Sequence, residues 1–225
     1  MEPINTIYIA GLRIDEPIVT LTDLLVSVLC FAFAHKLHAS GKTGKVFLYF
    51  KIYFLVMGIA TALGGIVGHA FMYHFSFYWK LPGWITSMIA IMFVERAAIE
   101  HTRIQLSPQT VKALRMVNLI EFITFLTLTI TTLNFFFVEF HSGYGLMFVV
   151  LSLEGFLFVK TRNKASRYLL SGVFFAALAA LFFMTKTSPH QWFNYLSISH
   201  MFMAVAACLF YLGAARIDMS VKPNR

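Results

Sequence analysis

Charge is scarce in this sequence. Asp, Glu, Lys and Arg together make up 12% of its 225 residues, about half the share of an ordinary soluble domain. Cysteine is nearly absent as well. Cys30 and Cys208 both fall within apolar runs, so no disulfide framework is expected and the redox compartment cannot be read from them. No Lys or Arg precedes Arg13, Glu2 stands near the start, and the first apolar run opens near residue 17, a pattern unlike a cleavable signal peptide. No polar stretch between the apolar runs is long enough for a soluble domain. No internal repeat is visible either, which argues against a classical inverted-repeat transporter.

Apolar residues fill the space that charge leaves. They account for 59% of the chain, with 25 phenylalanines, and the mean hydropathy is +0.74. Too little polar surface remains to cover a water-soluble globule. A soluble enzyme, a nucleic-acid-binding domain and a disordered chain are therefore excluded, and an integral membrane protein in contact with lipid is expected. The formal charge of +8 sits in short clusters between apolar runs, as topology determinants do.

The apolar runs cover approximately 17–34, 46–73, 81–99, 116–138, 143–159, 168–185 and 191–215. Each approaches the ~20 residues needed to cross a hydrocarbon core. Glu95 and Arg96 interrupt the third and Glu154 the fifth, but the loop charges favour seven spans over five. Lys36, Lys42 and Lys45, then Arg103, Lys112 and Arg115, then Lys160, Arg162, Lys164 and Arg167, then Arg216, Lys222 and Arg225 fall on one side. Only Arg13, Lys80 and Lys186 fall on the other. The positive-inside rule then predicts an all-α polytopic protein of seven transmembrane helices with the N-terminus outside and the C-terminus cytoplasmic. Residues 1–16 form an extracytoplasmic segment, 17–215 the bundle and 216–225 a cytoplasmic tail. INTIYI-AG-LRID alternates around Ala10-Gly11 and predicts either a small hairpin over the outer face or an ordered interfacial tail. Compact loops and the lack of targeting signals suggest a prokaryotic inner (plasma) membrane.

Polar groups inside apolar spans are expensive and point to function. On helix 1, Thr20, Asp23, Ser27 and Cys30 share a stripe. On helix 2, Thr61, Gly65 and His69 share a face beside a small-residue row, Ala60, Gly64 and Gly68. On helix 7 the stripe is His190, Asn194, Ser197, His200, Ala204 and Cys208, with His200 ~15 Å below the outer end. Asp23, His69 and His200 are the ligand types of a catalytic zinc site that leaves one position open for water. Ser197, Asn194 and Ser27 are candidates to orient those ligands or hold an oxyanion. The competing reading makes His69 and His200 interior packing groups. The same two histidines are also compatible with b-type haem.

A second set lies deeper. Helix 4 carries Asn118, Glu121, Thr124, Thr127, Thr131 and Asn134 as one ridge, with Glu95 and Arg96 on helix 3 and Glu154 on helix 5. Glu95, Asn118, Glu121, Thr127, Thr131 and Glu154 would make a polar path for a transporter, channel or proton-coupled sensor. Structural ion pairing, Glu121 with Arg115 or Arg96, is the alternative. His74, His101 and His141 are expected in or near loops. Gly/Ala faces on helices 2 and 6 (Gly172, Ala176, Ala180) suit packing within the bundle or a homo-oligomer.

The layout, with a histidine late in helix 2 and another in helix 7, resembles the superfamily of alkaline ceramidases and progestin/adipoQ receptors. TLTD at 20–23, GGIVGH at 64–69 and NYLSISH at 194–200 also look like an uncharacterised bacterial seven-helix family. The superfamily resemblance implies a zinc ion held by three histidines and, in some members, hydrolysis of lipid amides. Only His69 and His200 match that pattern. The superfamily's HxxxH pair on helix 7 is broken here by Ala204, so the third ligand position falls to Asp23.

Overall fold

The structure is a computed structural model that describes residues 5–218. Glu2, Lys222 and Arg225 lie outside the described residues. Seven helices are long and apolar enough to cross a membrane, as an integral membrane protein requires. They are α1 (Pro17–Ala39), α2 (Lys45–Ala70), α3 (Phe77–Gln105), α4 (Pro108–Thr132), α5 (Phe136–Thr161), α6 (Lys164–Thr185) and α7 (Tyr195–Arg216).

Ahead of α1, β1 (Thr6–Ile9) pairs antiparallel with β2 (Leu12–Asp15), and Ile9 faces Leu12 across a two-residue turn. Ala10 and Gly11 both take positive φ, 50° and 82°, as the tight hairpin turn that follows the strand twist demands. Asp15 fixes the base of this hairpin, accepting from Thr6 Oγ1 at 2.7 Å and Arg13 Nε at 2.9 Å. That carboxylate also raises the pKa of the Arg13 guanidinium. Arg13 lies over the Tyr73 ring, and the Tyr73 hydroxyl donates back to the Arg13 carbonyl. The hairpin is thereby tied to the segment that follows α2.

Caps, rather than the limits of apolarity, set the helix boundaries. Ser107 Oγ accepts from the Thr110 amide at 3.1 Å with Pro108 next in line. That N-cap starts α4 eight residues ahead of the expected 116, so Lys112 and Arg115 are helical. Leu133 at φ 54° closes α4 and Asn134 Oδ1 accepts from the Phe136 amide. Residues 136–138, expected on helix 4, therefore belong to α5. Asn194 Oδ1 accepts from the amides of Leu196 and Ser197 and starts α7 at Tyr195, four residues later than expected.

Helices α1, α2, α3, α5, α6 and α7 pack side by side in a ring, each against its neighbours in that order, and α7 closes on α1. α4 lies outside, mainly against α3 and α5. Val26, Cys30, Phe33, Phe50, Phe54, Val94, Ala97, Leu169 and Phe210 contribute to the apolar core. Close approach depends on small residues: a β-carbon at Gly172 would meet the Phe210 ring, and one at Gly213 would meet Leu169. Gly172 thus serves the α6–α7 contact within the bundle, while Ala180 of the same small-residue row is exposed.

Candidate metal site

Asp23, His69 and His200 come from α1, α2 and α7 and meet at the hairpin end of the bundle. Asp23 lies under the first two turns of α1. Its carboxylate fits against α2 because positions 64 and 65 are glycine; a β-carbon at Gly64 would stand 3.0 Å from Asp23 Oδ2, and one at Gly65 3.2 Å from the Thr20 carbonyl. From Gly64 to Ala70 the last part of α2 widens into a π-helix. Such segments recur at functional sites, and here the extra width sets the rotation at which His69 leaves the helix. His200 lies five residues into α7, ~8 Å from its start rather than the expected ~15 Å.

The two imidazoles are held alike. His69 Nδ1 faces Glu16 Oε2 at 2.7 Å. His200 Nδ1 faces Thr22 Oγ1 at 3.1 Å. The Thr22 hydroxyl donates to the Val19 and Ile18 carbonyls, at 2.9 and 3.0 Å, which leaves its oxygen free to accept from His200 Nδ1, itself also in reach of the Val19 carbonyl. Each Nδ1 atom thus faces an oxygen outside the cluster, and each Nε2 atom faces Asp23. The separations are 3.8 Å from His69 Nε2 to Oδ2 and 3.4 Å from His200 Nε2 to Oδ1.

The shorter separation, from His200, matches the edge of a tetrahedral zinc site, and the one from His69 is about 0.4 Å longer. Four ligands at ~2.0–2.1 Å from a tetrahedral zinc are ~3.3–3.4 Å apart, whereas a direct hydrogen bond would close to ~2.9 Å. The outer acceptors Glu16 and Thr22 are of the kind that fix the tautomer of metal-binding histidines. Asp23 and Glu16 together also balance a dication. Glu16 holds its position through a left-handed backbone, φ 43° and ψ 52°, uncommon for a residue with a β-carbon. His69 keeps 19% of its side chain exposed, so the site is open to its surroundings. A cavity of about 10 Å³ beside Glu16, Trp192 and Asn194 matches a single water.

The other residues proposed for this site have structural tasks. Asn194 caps α7, and Ser197, fully buried, reaches Asn194 Oδ1 at 3.5 Å. Ser27 donates to the Gly58 carbonyl across the α1–α2 contact at 2.8 Å. Neither serine points its hydroxyl at the ligand atoms.

The inner set divides into two clusters. Glu95, Glu121 and His141, from α3, α4 and α5, bring one ligand atom each within 4.8 Å of one another. Glu121 Oε1 lies 2.6 Å from His141 Nδ1, and His141 Nε2 faces the Met88 carbonyl at 3.0 Å. Asn118 donates to Glu95 Oε2 at 3.1 Å and accepts from Arg96. Glu95 Oε1 and Glu121 Oε2 are buried with no hydrogen-bond partner among the described residues. Gly145, in a second π-helix at Tyr144–Val150, gives Glu95 the room a β-carbon would take. Farther from the hairpin, Glu154 accepts from Ser166 at 2.7 Å and pairs with His101 Nδ1 at 2.9 Å.

Two expectations are corrected here. His101 and His141 are not loop residues: each lies in a helix, 1% and 0% exposed, and each is paired with a glutamate. Glu121 pairs with His141, while Arg115 pairs with Glu100. On the α4 ridge Asn118 and Glu121 reach the inner cluster, while its threonines do not line an interior path. Thr124, Thr127 and Thr131 are exposed and donate to their own helix four residues back, at 2.8 Å each.

Comparison with curated proteins and with solved structures gives no match. The model of a family of unknown function (DUF6962) matches residues 18–219, which takes in Asp23, His69 and His200, the inner glutamates and nearly the whole bundle. The chain belongs to that family.

Proposed function

We propose that the chain is a metal-dependent intramembrane hydrolase acting on a lipid amide or ester, with Asp23, His69 and His200 as zinc ligands. The observation that carries this reading is the convergence of two Nε2 atoms on one carboxylate, with each Nδ1 atom facing an oxygen outside the cluster. The substrate class follows from the resemblance in sequence layout to ceramidase-like seven-helix proteins, and the bilayer around the bundle would supply it. Zinc in such a site supplies Lewis acidity, lowering the pKa of water and polarising a carbonyl. The chain's own part is to hold and position. Thr22 and Glu16 keep the imidazoles in one tautomer, Gly64 and Gly65 let Asp23 approach, and the Glu16 carboxylate stands where it can hold a proton at His69 Nδ1.

The test is metal content by mass spectrometry on purified protein, with the His69→Ala/His200→Ala variant alongside. About one zinc per chain, lost in the variant, supports the reading and sets up assays with acylated-amine lipids. Well-folded protein without metal after zinc supplementation would remove it.

A second reading, a proton-coupled transporter or sensor, is favoured by one observation. Both ring nitrogens of His141 face acceptors, and a neutral imidazole has one proton to give. The Glu121–His141 pair must then hold a second proton, and the 2.6 Å separation suits a shared proton rather than an ion. Proton flux in proteoliposomes that vanishes in Glu95→Gln or Glu154→Gln would bring this reading forward; flux equal to that of empty liposomes would end it.

A further inference from the structure

The basic residues that mark topology in the sequence do not all disperse into solvent. Lys45 at the start of α2, Arg103 at the end of α3, and Lys112 and Arg115 in the first turns of α4 line one cavity of about 400 Å³ together with Leu106, Pro108 and Val111. This cavity opens at the end of the bundle opposite the hairpin and shares no residue with the metal site.

Its field is strongly positive, for reasons that add. Four cations face the cavity, and the acidic group near them is Glu100, 2% exposed beneath the wall. Glu100 pairs with Arg103 at 3.2 Å and with Arg115, and one carboxylate holds both guanidinium planes in place with N–H groups left over. Lys45 and Lys112 are exposed, with no carboxylate within 4.0 Å among the described residues. Two helix N-termini, α2 at Lys45 and α4 at Pro108, add the positive ends of their dipoles. Two fixed guanidinium forks beside mobile ammonium groups match a tetrahedral oxyanion.

The apolar part of the lining identifies the carrier. Leu106, Pro108 and Val111 sit where one membrane-spanning helix ends and the next begins, the place at which a spanning helix meets the lipid headgroups. Basic pockets between helices at this level suit anionic lipids. We propose that this cavity binds the phosphate group of an anionic phospholipid, with the cations on the phosphate and Leu106 and Val111 beside the glycerol backbone.

The test is native mass spectrometry of detergent-released protein loaded with phosphatidic acid or with phosphatidylcholine, alongside thermal shift with inorganic phosphate. The variant is Lys45→Ala/Lys112→Ala, since both side chains are exposed and neither packs in the core. Each lysine near an anionic surface is worth about fivefold in affinity, so the double variant is expected to bind phosphatidic acid about 25-fold more weakly. Lys160→Ala/Lys164→Ala, at the same end but outside the cavity, is expected to bind as the wild type does. Retention of phosphatidic acid over phosphatidylcholine, reduced only in the first variant, supports the proposal. Stabilisation by inorganic phosphate, lost in the same variant and without lipid retention, would keep the phosphate site and overturn its lipid source. Equal retention of both lipids, or equal loss in the two variants, would overturn the site.

Discussion

Thr22 and Glu16 touch no other candidate ligand atom, yet they decide what His200 and His69 can offer. Replacing Thr22 by Val removes one partner at His200 Nδ1 while keeping the shape of the side chain, and leaves the Val19 carbonyl beside the ring. The hold on the ring's tautomer is then weaker. Zinc affinity, measured by competition with a chromogenic chelator, is expected to fall about 10–100-fold, with melting temperature little changed. Glu16→Gln is expected to act in the same direction, since an amide is a weaker acceptor than a carboxylate. Asn194 gives the opposite pattern. As a cap it is worth ~1 kcal/mol, so Asn194→Ala should lower the melting temperature and leave metal content unaltered; an intact melting temperature with lost hydrolysis would restore its oxyanion role. Asp23, His69 and His200 were legible in the sequence because polar groups at helical spacing in apolar spans stand out. Thr22 was not, since it lies off the Thr20–Asp23–Ser27 stripe and turns toward α7. Glu16 was hidden in a segment with no span of its own. His101 and His141 were expected in or near loops because apolarity ends before the helices do.

Two short π-helices, one beside the metal site and one beside the Glu95 cluster, are the main departures from regular helix, and neither is visible in hydropathy. Each begins at or near a glycine that faces a carboxylate: Gly64 and Gly65 face Asp23, and Gly145 faces Glu95. Gly68, in the row that sequence spacing marks for close contact, meets nothing within 4 Å. Gly65→Ala is therefore expected to destabilise the bundle by ~1–3 kcal/mol through overpacking and to displace Asp23, reducing bound zinc. Gly68→Ala should be neutral or slightly stabilising. Detergent melting curves for the pair check this, and equal losses in both would contradict it. α4 shows the same limit of sequence periodicity. Its threonines share a ridge, but the sequence does not say which side of the helix meets the bundle, and a hydroxyl bonded to its own backbone tolerates lipid. Thr127→Val and Thr131→Val are expected to stay within ~0.5 kcal/mol of the parent in stability.

For the whole molecule, the seven apolar helices are plain in the sequence because each needs a long run to cross the bilayer. Their ring order and the outlying place of α4 are not, since side-by-side contacts depend on small residues scattered through the chain. Orientation rests on the basic loops, which predict the hairpin outside and the cavity of Lys45, Arg103, Lys112 and Arg115 inside. Single cysteines placed at Ser76 and Ser107, in a background lacking Cys30 and Cys208, test this with a membrane-impermeant thiol reagent. Labelling of the first alone in intact cells is expected, and labelling of the second alone would invert the orientation.

The site is also late in time. Thr22 and His200 are separated by 178 positions, and α7 is the last helix to leave the ribosome. At ~5–20 residues per second, Asp23 and His69 wait several seconds or more in the membrane as a two-ligand half-site. A nascent chain halted before Tyr195 would carry the hairpin, Glu16 and the whole of α1 and α2, yet bind zinc only weakly. On the proposed zinc reading, capture of the ion would then mark the closure of α7 onto α1.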